Sequence, residues 1–321
     1  MSIWSYILKR ILQGSLIVFI MSFISFFLIR LSPVDPLAEL RMNPSITKQT
    51  LEEEKIRLGL DKPVIIQYFI WGKNFVRGNM GTTVSGEKVS AKIKERALNT
   101  ILLSLNVIFW TWVIGIPLGV IAALNYRSTF DRILTVLSSV GMAIPSFFFA
   151  ILLLIFAQKT GWFPIGGLTC PNFSNLTFLH KIFDVAHHLF LPTLVLTTIS
   201  LAGLSRQMRS NLLDVLDSDY VKFAKAKGLS PFKVVVKHAL RNAINPLVTL
   251  LGFEFAALLS GAALTEYVFQ YPGLGRLILE AVMKSDINLV MASLVIGSFM
   301  LILGNILADI LLKLTDPRVR L

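Results

Sequence analysis

Six apolar runs constrain this chain more than any other feature: about Ile11 to Leu31, Thr100 to Leu124, Ile133 to Ala157, Leu189 to Leu204, Leu247 to Val268 and Ile287 to Leu312. A helix needs roughly 20 apolar residues to cross a bilayer core of about 30 Å. In hydrocarbon every backbone N–H and C=O must find a partner within the protein, and a helix supplies those partners within the segment itself. The fourth run is the weakest, since Pro192 and Gly203 interrupt it and its end runs into Arg206 and Arg209. With 54% hydrophobic and 16% charged residues, the chain does not read as an ordinary soluble domain. The expected fold is an all-α integral membrane protein with six transmembrane helices.

The segments between the runs set the topology. Short basic ones, at Lys9/Arg10, Arg127/Arg132, the stretch after Leu204 and Lys313/Arg318/Arg320, belong inside, which puts both termini in the cytoplasm. Topology and anionic lipid account for the net charge of +12, so nucleic acid is not an expected partner. No small-residue cleavage site follows the first run, so it is expected to stay as an anchor. Residues 1–31 then form the N-terminus and first span, 32–98 an external subdomain, and 99–321 the membrane core. The subdomain opens with Pro33, Asp35 and Pro36 and continues into TKQTLEEEKIRLGL, a helix capped at Thr47 or Thr50. An aromatic patch (Tyr68, Phe69, Trp71) and a turn rich in glycine (Gly78, Gly81, Gly86) follow. Residues 161–188 and the FQYPGLGRL loop are the other external segments.

One polar stretch stands apart, DYVKFAKAKGLSPFKVVVKHALRNAINP from Asp219 to Pro246, inside a cytoplasmic loop of residues 213–246. Six basic residues oppose one acid, and its apolar residues recur at spacings of three and four, so each half forms a short amphipathic helix. Gly228 suits the C′ position of the first, Ser230 the N-cap and Pro231 the first turn of the second. Such a pair is either a handle for a soluble partner or a surface element held by lipid headgroups. Composition does not choose between them.

Catalytic and metal chemistry find little support. His180, His187 and His188 come without HExxH spacing or a carboxylate pair, and read as interfacial side chains. There is no GxSxG elbow, and no GxxxxGK[ST], so a protein that pumps by ATP hydrolysis must borrow its motor. The lone Cys170 rules out an intrachain disulfide. Within the runs, Glu254 and Asp309 are the notable acids, with Glu266 near the outer end of the fifth. An intramembrane acid marks a functional site by default. Asp309 lies close enough to the cytoplasmic surface to be hydrated, whereas Glu254 faces a protein interface or water and is a candidate for the translocation path. Ala256, Ala257, Gly261, Ala262 and Ala263 permit close helix packing.

The central stretch resembles the cytoplasmic coupling loop of ABC importer permeases, whose signature runs Glu-Ala-Ala…Gly…Ile-x-Leu-Pro. Ala224, Gly228 and Leu240 fall on it; Lys222 and Phe223 replace Glu-Ala, His238 stands at Ile and Arg241 at Pro. The text DYVKFAKAKGL and HALRNAINP, with LSPVDP, LGLDKP, GNMGTTV, AIPSFFFAILL, WFPIGG, FQYPGLGR and DPRVR in that order, resembles the peptide/nickel subfamily, in particular the first permease subunit of dipeptide and oligopeptide systems. That resemblance implies a multi-pass permease of the bacterial inner membrane. It pairs with a second permease, most often a different chain, two ATP-binding subunits and an extracytoplasmic substrate-binding protein. ATP and magnesium would sit on the partner subunits, with no cofactor and no enzyme site in this chain. The implied cargo is di- or oligopeptides; nickel or a metal chelate is the alternative within the family, and an ion-coupled carrier the alternative outside it. The implied contact with the ATPases is Tyr220, Ala224, Lys225, Ala226, Lys227 and Gly228, and the implied contact with the binding protein is Tyr271, Pro272, Gly273 and Leu274.

Overall fold

The structure, a computed structural model, describes residues 3–31, 41, 47–57, 61–83, 86–284 and 286–315, and all regular elements among them are helical. Helix α1 (Ile3–Leu31) starts earlier than its apolar run and so includes Lys9 and Arg10. In the segment expected to form an external subdomain, α2 (Lys48–Arg57) begins where the Thr47 hydroxyl accepts from the Thr50 N–H at 3.2 Å. Helix α3 (Val64–Val76) carries the aromatic patch and lies against α1. Its Tyr68 is buried among Phe19, Phe23 and Phe26, with its hydroxyl 2.9 Å from that of Ser22. Tyr68 therefore anchors α3 onto the first span, while Phe69 of the same patch stays exposed. Residues 32–36 of LSPVDP and the C-terminal DPRVR lie outside the described residues.

Helix α4 (Val89–Leu124) and helix α7 (Phe178–Leu216) form the central pair. Both extend well beyond the expected second and fourth runs, because polar residues continue the helix outside the apolar stretch. Pro117 and Pro192 sit inside these helices without ending them. Close approach of the pair depends on Gly119, where an added Cβ would stand 2.6 Å from the Ser205 carbonyl oxygen.

The expected third span is broken. Helix α5 (Thr129–Ala143) and helix α6 (Ser146–Thr160) meet at 96°. Pro145 cannot donate a helical hydrogen bond and drives the residue before it out of the helical region; Ile144 is extended, at φ −80° and ψ 121°. Then come α8 (Asp219–Ala226), α9 (Pro231–Lys233), a π-helical turn (Val234–Ala239) and α10 (Leu240–Gly261). The chain ends with α11 (Ala263–Val268), α12 (Leu274–Met283) and α13 (Ile287–Thr315). Stretches of α1, α4, α7 and α13 are long and apolar enough to cross a membrane, and α5 with α6 makes a fifth if the bent pair is one span. The expected fifth run, Leu247 to Val268, is divided between α10 and α11, and neither is among them.

Asp309 of α13 is not left to water. It accepts the Tyr6 hydroxyl at 2.6 Å and pairs with Arg10 at 3.0 Å, joining the start of α1 to the end of α13. At α5, Asp131 is buried under a bidentate pair with Arg209 of α7, and one of its oxygens also accepts the Arg127 N–H at 2.9 Å.

Candidate functional site

Helix α8 is amphipathic, as its spacing predicts, and the burial is one-sided. Val221 and Ala224 pack into a cluster with Met208 and Leu212 of α7, Val234 and Ala239 of the π turn, and Leu247 of α10. Fully burying a side chain the size of Val221 contributes about 1.5–3 kcal/mol. The opposite face is open: Tyr220, Lys222, Phe223, Lys225, Ala226, Lys227 and Gly228 are exposed. Ala224 is the correction. It belongs to the interior face, so the sequence pattern places it in the motif but its side chain holds α8 down. Phe223 was missed; it is 62% exposed, and the Lys227 ammonium sits 4.7 Å from its ring centroid. Periodicity does signal it, since it lies two residues after Val221 and one before Ala224, off the apolar stripe.

Gly228 has φ +77°, and its N–H bonds the Lys225 carbonyl at 3.0 Å, so it closes α8 in the conformation that only glycine adopts at no steric cost. Nothing lies within 4 Å of where its Cβ would be. Ser230 occupies the next N-cap and Pro231 the first turn, yet the serine side chain makes no capping bond. The expected second short helix does not stand alone either. It passes through the π turn directly into α10, across Pro246. Residues five apart diverge by about 140° on a helix of 3.6 residues per turn, and the wider turn returns Val234 and Ala239 to one buried side. The Asn242 amide donates to the Tyr220 hydroxyl at 2.8 Å and the Asn211 amide to the Ala243 carbonyl at 3.1 Å, so α8, α7 and α10 are tied together.

The FQYPGLGRL loop carries a second correction. Tyr271, Gly273 and Leu274 are buried and Pro272 is half-buried, so they do not present a contact surface. The centre of this knot is Glu266, fully buried. Its carboxylate accepts the Thr100 hydroxyl at 2.8 Å and the Arg276 N–H at 2.9 Å. The same Thr100 oxygen accepts the Leu274 N–H at 2.7 Å, and the Tyr271 hydroxyl donates to the Asn99 carbonyl at 2.7 Å. Gly273 leaves no room for a side chain, because a Cβ there would stand 2.2 Å from the Glu266 carboxyl carbon. The loop is clamped onto α4; Gln270 and, in the helix just before the loop, Leu264 and Tyr267 are exposed.

Glu254 lies elsewhere. It lines a cleft of about 540 Å³ between the start of α6, the middle of α7 and α10, with Ser146, Ser200 and Gln207 as the other polar walls. One of its oxygens accepts the Trp112 indole N–H of α4 at 2.9 Å. The histidines make local bonds: His187 Nε2 is 2.9 Å from the Trp162 carbonyl, His188 Nδ1 2.8 Å from that of Asp184, and His180 Nδ1 2.7 Å from the Thr177 hydroxyl.

Comparison with known proteins adds to this geometry. Residues 115–321 match the family described as binding-protein-dependent transport system inner membrane component, and residues 3–92 match the N-terminal family of such membrane components. The chain is 38% identical over 318 residues to the oligopeptide transport system permease protein AppB of Bacillus subtilis, covering 98% of this chain and 99% of the relative. It is 35% identical over 317 residues to a probable peptide ABC transporter permease protein of Sinorhizobium fredii, covering 98% and 99%. A putative peptide permease protein of Brucella suis is 38% identical over 322 residues, covering 98% of each.

Proposed function

The chain belongs to the family of binding-protein-dependent transport system inner membrane components, and from that premise we propose that it is the permease subunit of an ATP-driven importer of di- or oligopeptides. The observation that carries this reading is the open, basic and aromatic face of α8 on a helix locked to α7 and α10. Those same two helices wall the cleft that holds Glu254. A rigid displacement of α8 is therefore transmitted to the cleft and not absorbed in a loop. Tyr220, Phe223, Lys225, Ala226 and Lys227 meet an ATP-binding subunit, while Ala224 and Gly228 hold the helix and its turn in shape. ATP and magnesium sit on two such subunits. A second permease completes the path, and a binding protein delivers cargo to the external face, where Tyr267 and Gln270 are presented. Six spans with both termini in the cytoplasm, α10 being the fifth, fit the basic segments.

Gentle detergent purification of the tagged chain from its own membrane tests this. A second permease and P-loop ATPases should co-purify, and the ATPases should be lost when Gly228 is altered. An ion-coupled carrier is the second reading, favoured by the intramembrane Glu254. A stable particle without ATPases, whose uptake an ionophore abolishes despite ample ATP, would establish it in place of the importer.

A further inference from the structure

Among the described residues, four acids in or beside the apolar helices are satisfied by the chain itself. Asp131 has Arg209, Asp309 has Arg10 and Tyr6, Glu280 has Arg276, and Glu266 has a hydroxyl and a backbone N–H. Among the described residues, Glu254 accepts a single neutral donor, the Trp112 indole, and no Lys, Arg or His lines its cleft. A carboxylate out of bulk water calls for a cationic partner. The indole fixes one oxygen from behind, on α4, while the residue faces a space large enough for a small peptide.

Resting on the importer reading, we propose that Glu254 is a specificity-determining residue that favours cargo bearing a cationic amine, such as the free N-terminus of a peptide. The wall chemistry favours an organic ammonium over a bare metal ion. One carboxylate, two hydroxyls (Ser146, Ser200) and one amide (Gln207) fall short of the six or more oxygens a hard cation gathers, whereas an ammonium needs about three acceptors. The remaining walls are mainly leucine and isoleucine, which suit cargo side chains and leave polar contacts to set orientation.

The test uses the complete transporter in proteoliposomes with its binding protein and ATP, following uptake of trialanine and of N-acetyl-trialanine. The same binding protein serves every variant, so its own preference cancels when ratios are compared. Losing a charge-assisted hydrogen bond corresponds to about tenfold. The free-amine to acetylated uptake ratio should fall about tenfold in Glu254→Gln and be held in Glu254→Asp. An unchanged ratio in Glu254→Gln, including equal loss of both substrates, overturns the proposal while leaving the importer intact. Absence of ATP-dependent uptake of either peptide by the wild-type assembly overturns the importer reading, and this proposal with it.

Discussion

A carboxylate buried as completely as Glu266 persists only where donors replace the water it gave up. Thr100 and the Arg276 N–H do so, and in turn the loop from Tyr271 to Leu274 is held by the acceptors the carboxylate and Thr100 provide. Glu266→Ala leaves those donors orphaned at about 1–3 kcal/mol each. The expected result is a fall of about 5 °C in the apparent melting temperature in detergent, with Glu266→Gln falling less because it keeps one acceptor oxygen. An unchanged melting curve for Glu266→Ala would remove the clamp from the account. Gly119 is constrained by packing. Its Cβ would meet the Ser205 carbonyl at 2.6 Å, and backbone cannot swing aside as a side chain can. Gly119→Ala should destabilise the α4–α7 pair by about 1–3 kcal/mol, as overpacking does, and Gly119→Val by more. Equal yields of monodisperse protein for wild type and Gly119→Val would contradict that packing.

At the scale of elements, α8 and the turn after it are where shape and transmission can be separated. Because Gly228 has empty space around its absent Cβ, a substitution there costs backbone conformation and not packing. Forcing a side chain into the left-handed region costs roughly 1–2 kcal/mol, more for a β-branched residue. Gly228→Val should therefore insert into the membrane normally while losing its hold on the ATP-binding subunits, and with it the link between ATP hydrolysis and uptake, and Gly228→Ala should lose part of both. Full transport by Gly228→Val sinks that expectation. This turn was legible because glycine at C′ and proline in a first helical turn are local rules. The π turn was not, since only the tertiary need to bury both Val234 and Ala239 calls for it. Pro145 gave a sign of the break between α5 and α6, but apolar residues on both sides let the run read as continuous. The YPGLGR loop misled for a related reason. Glycine and proline mark a turn, while the acid that pulls the turn inward, Glu266, lies in the preceding helix.

Across the whole molecule, one path joins the open face of α8 to the cleft. Val221 and Ala224 pack on α7, Asn211 ties α7 to α10, and both helices line the space around Glu254. Movement at one end must appear at the other unless the cluster beneath α8 yields. Two partners for the open face remain physically distinct: an ATP-binding subunit, or lipid headgroups that would hold Lys222, Lys225 and Lys227 beside an inserted Phe223. A single cysteine separates them. With the natural Cys170 changed to serine, Phe223→Cys places a thiol at a position that is 62% exposed. In the assembled transporter, a short bifunctional reagent should join it to the ATP-binding subunit, with a yield that changes on adding ATP and magnesium. A spin label at the same position should be reached by a water-soluble relaxing agent and not by oxygen dissolved in lipid. If the label reports the lipid phase and no cross-link forms in either nucleotide state, α8 is a membrane-surface helix. Coupling to ATP hydrolysis would then have to enter the chain through another element.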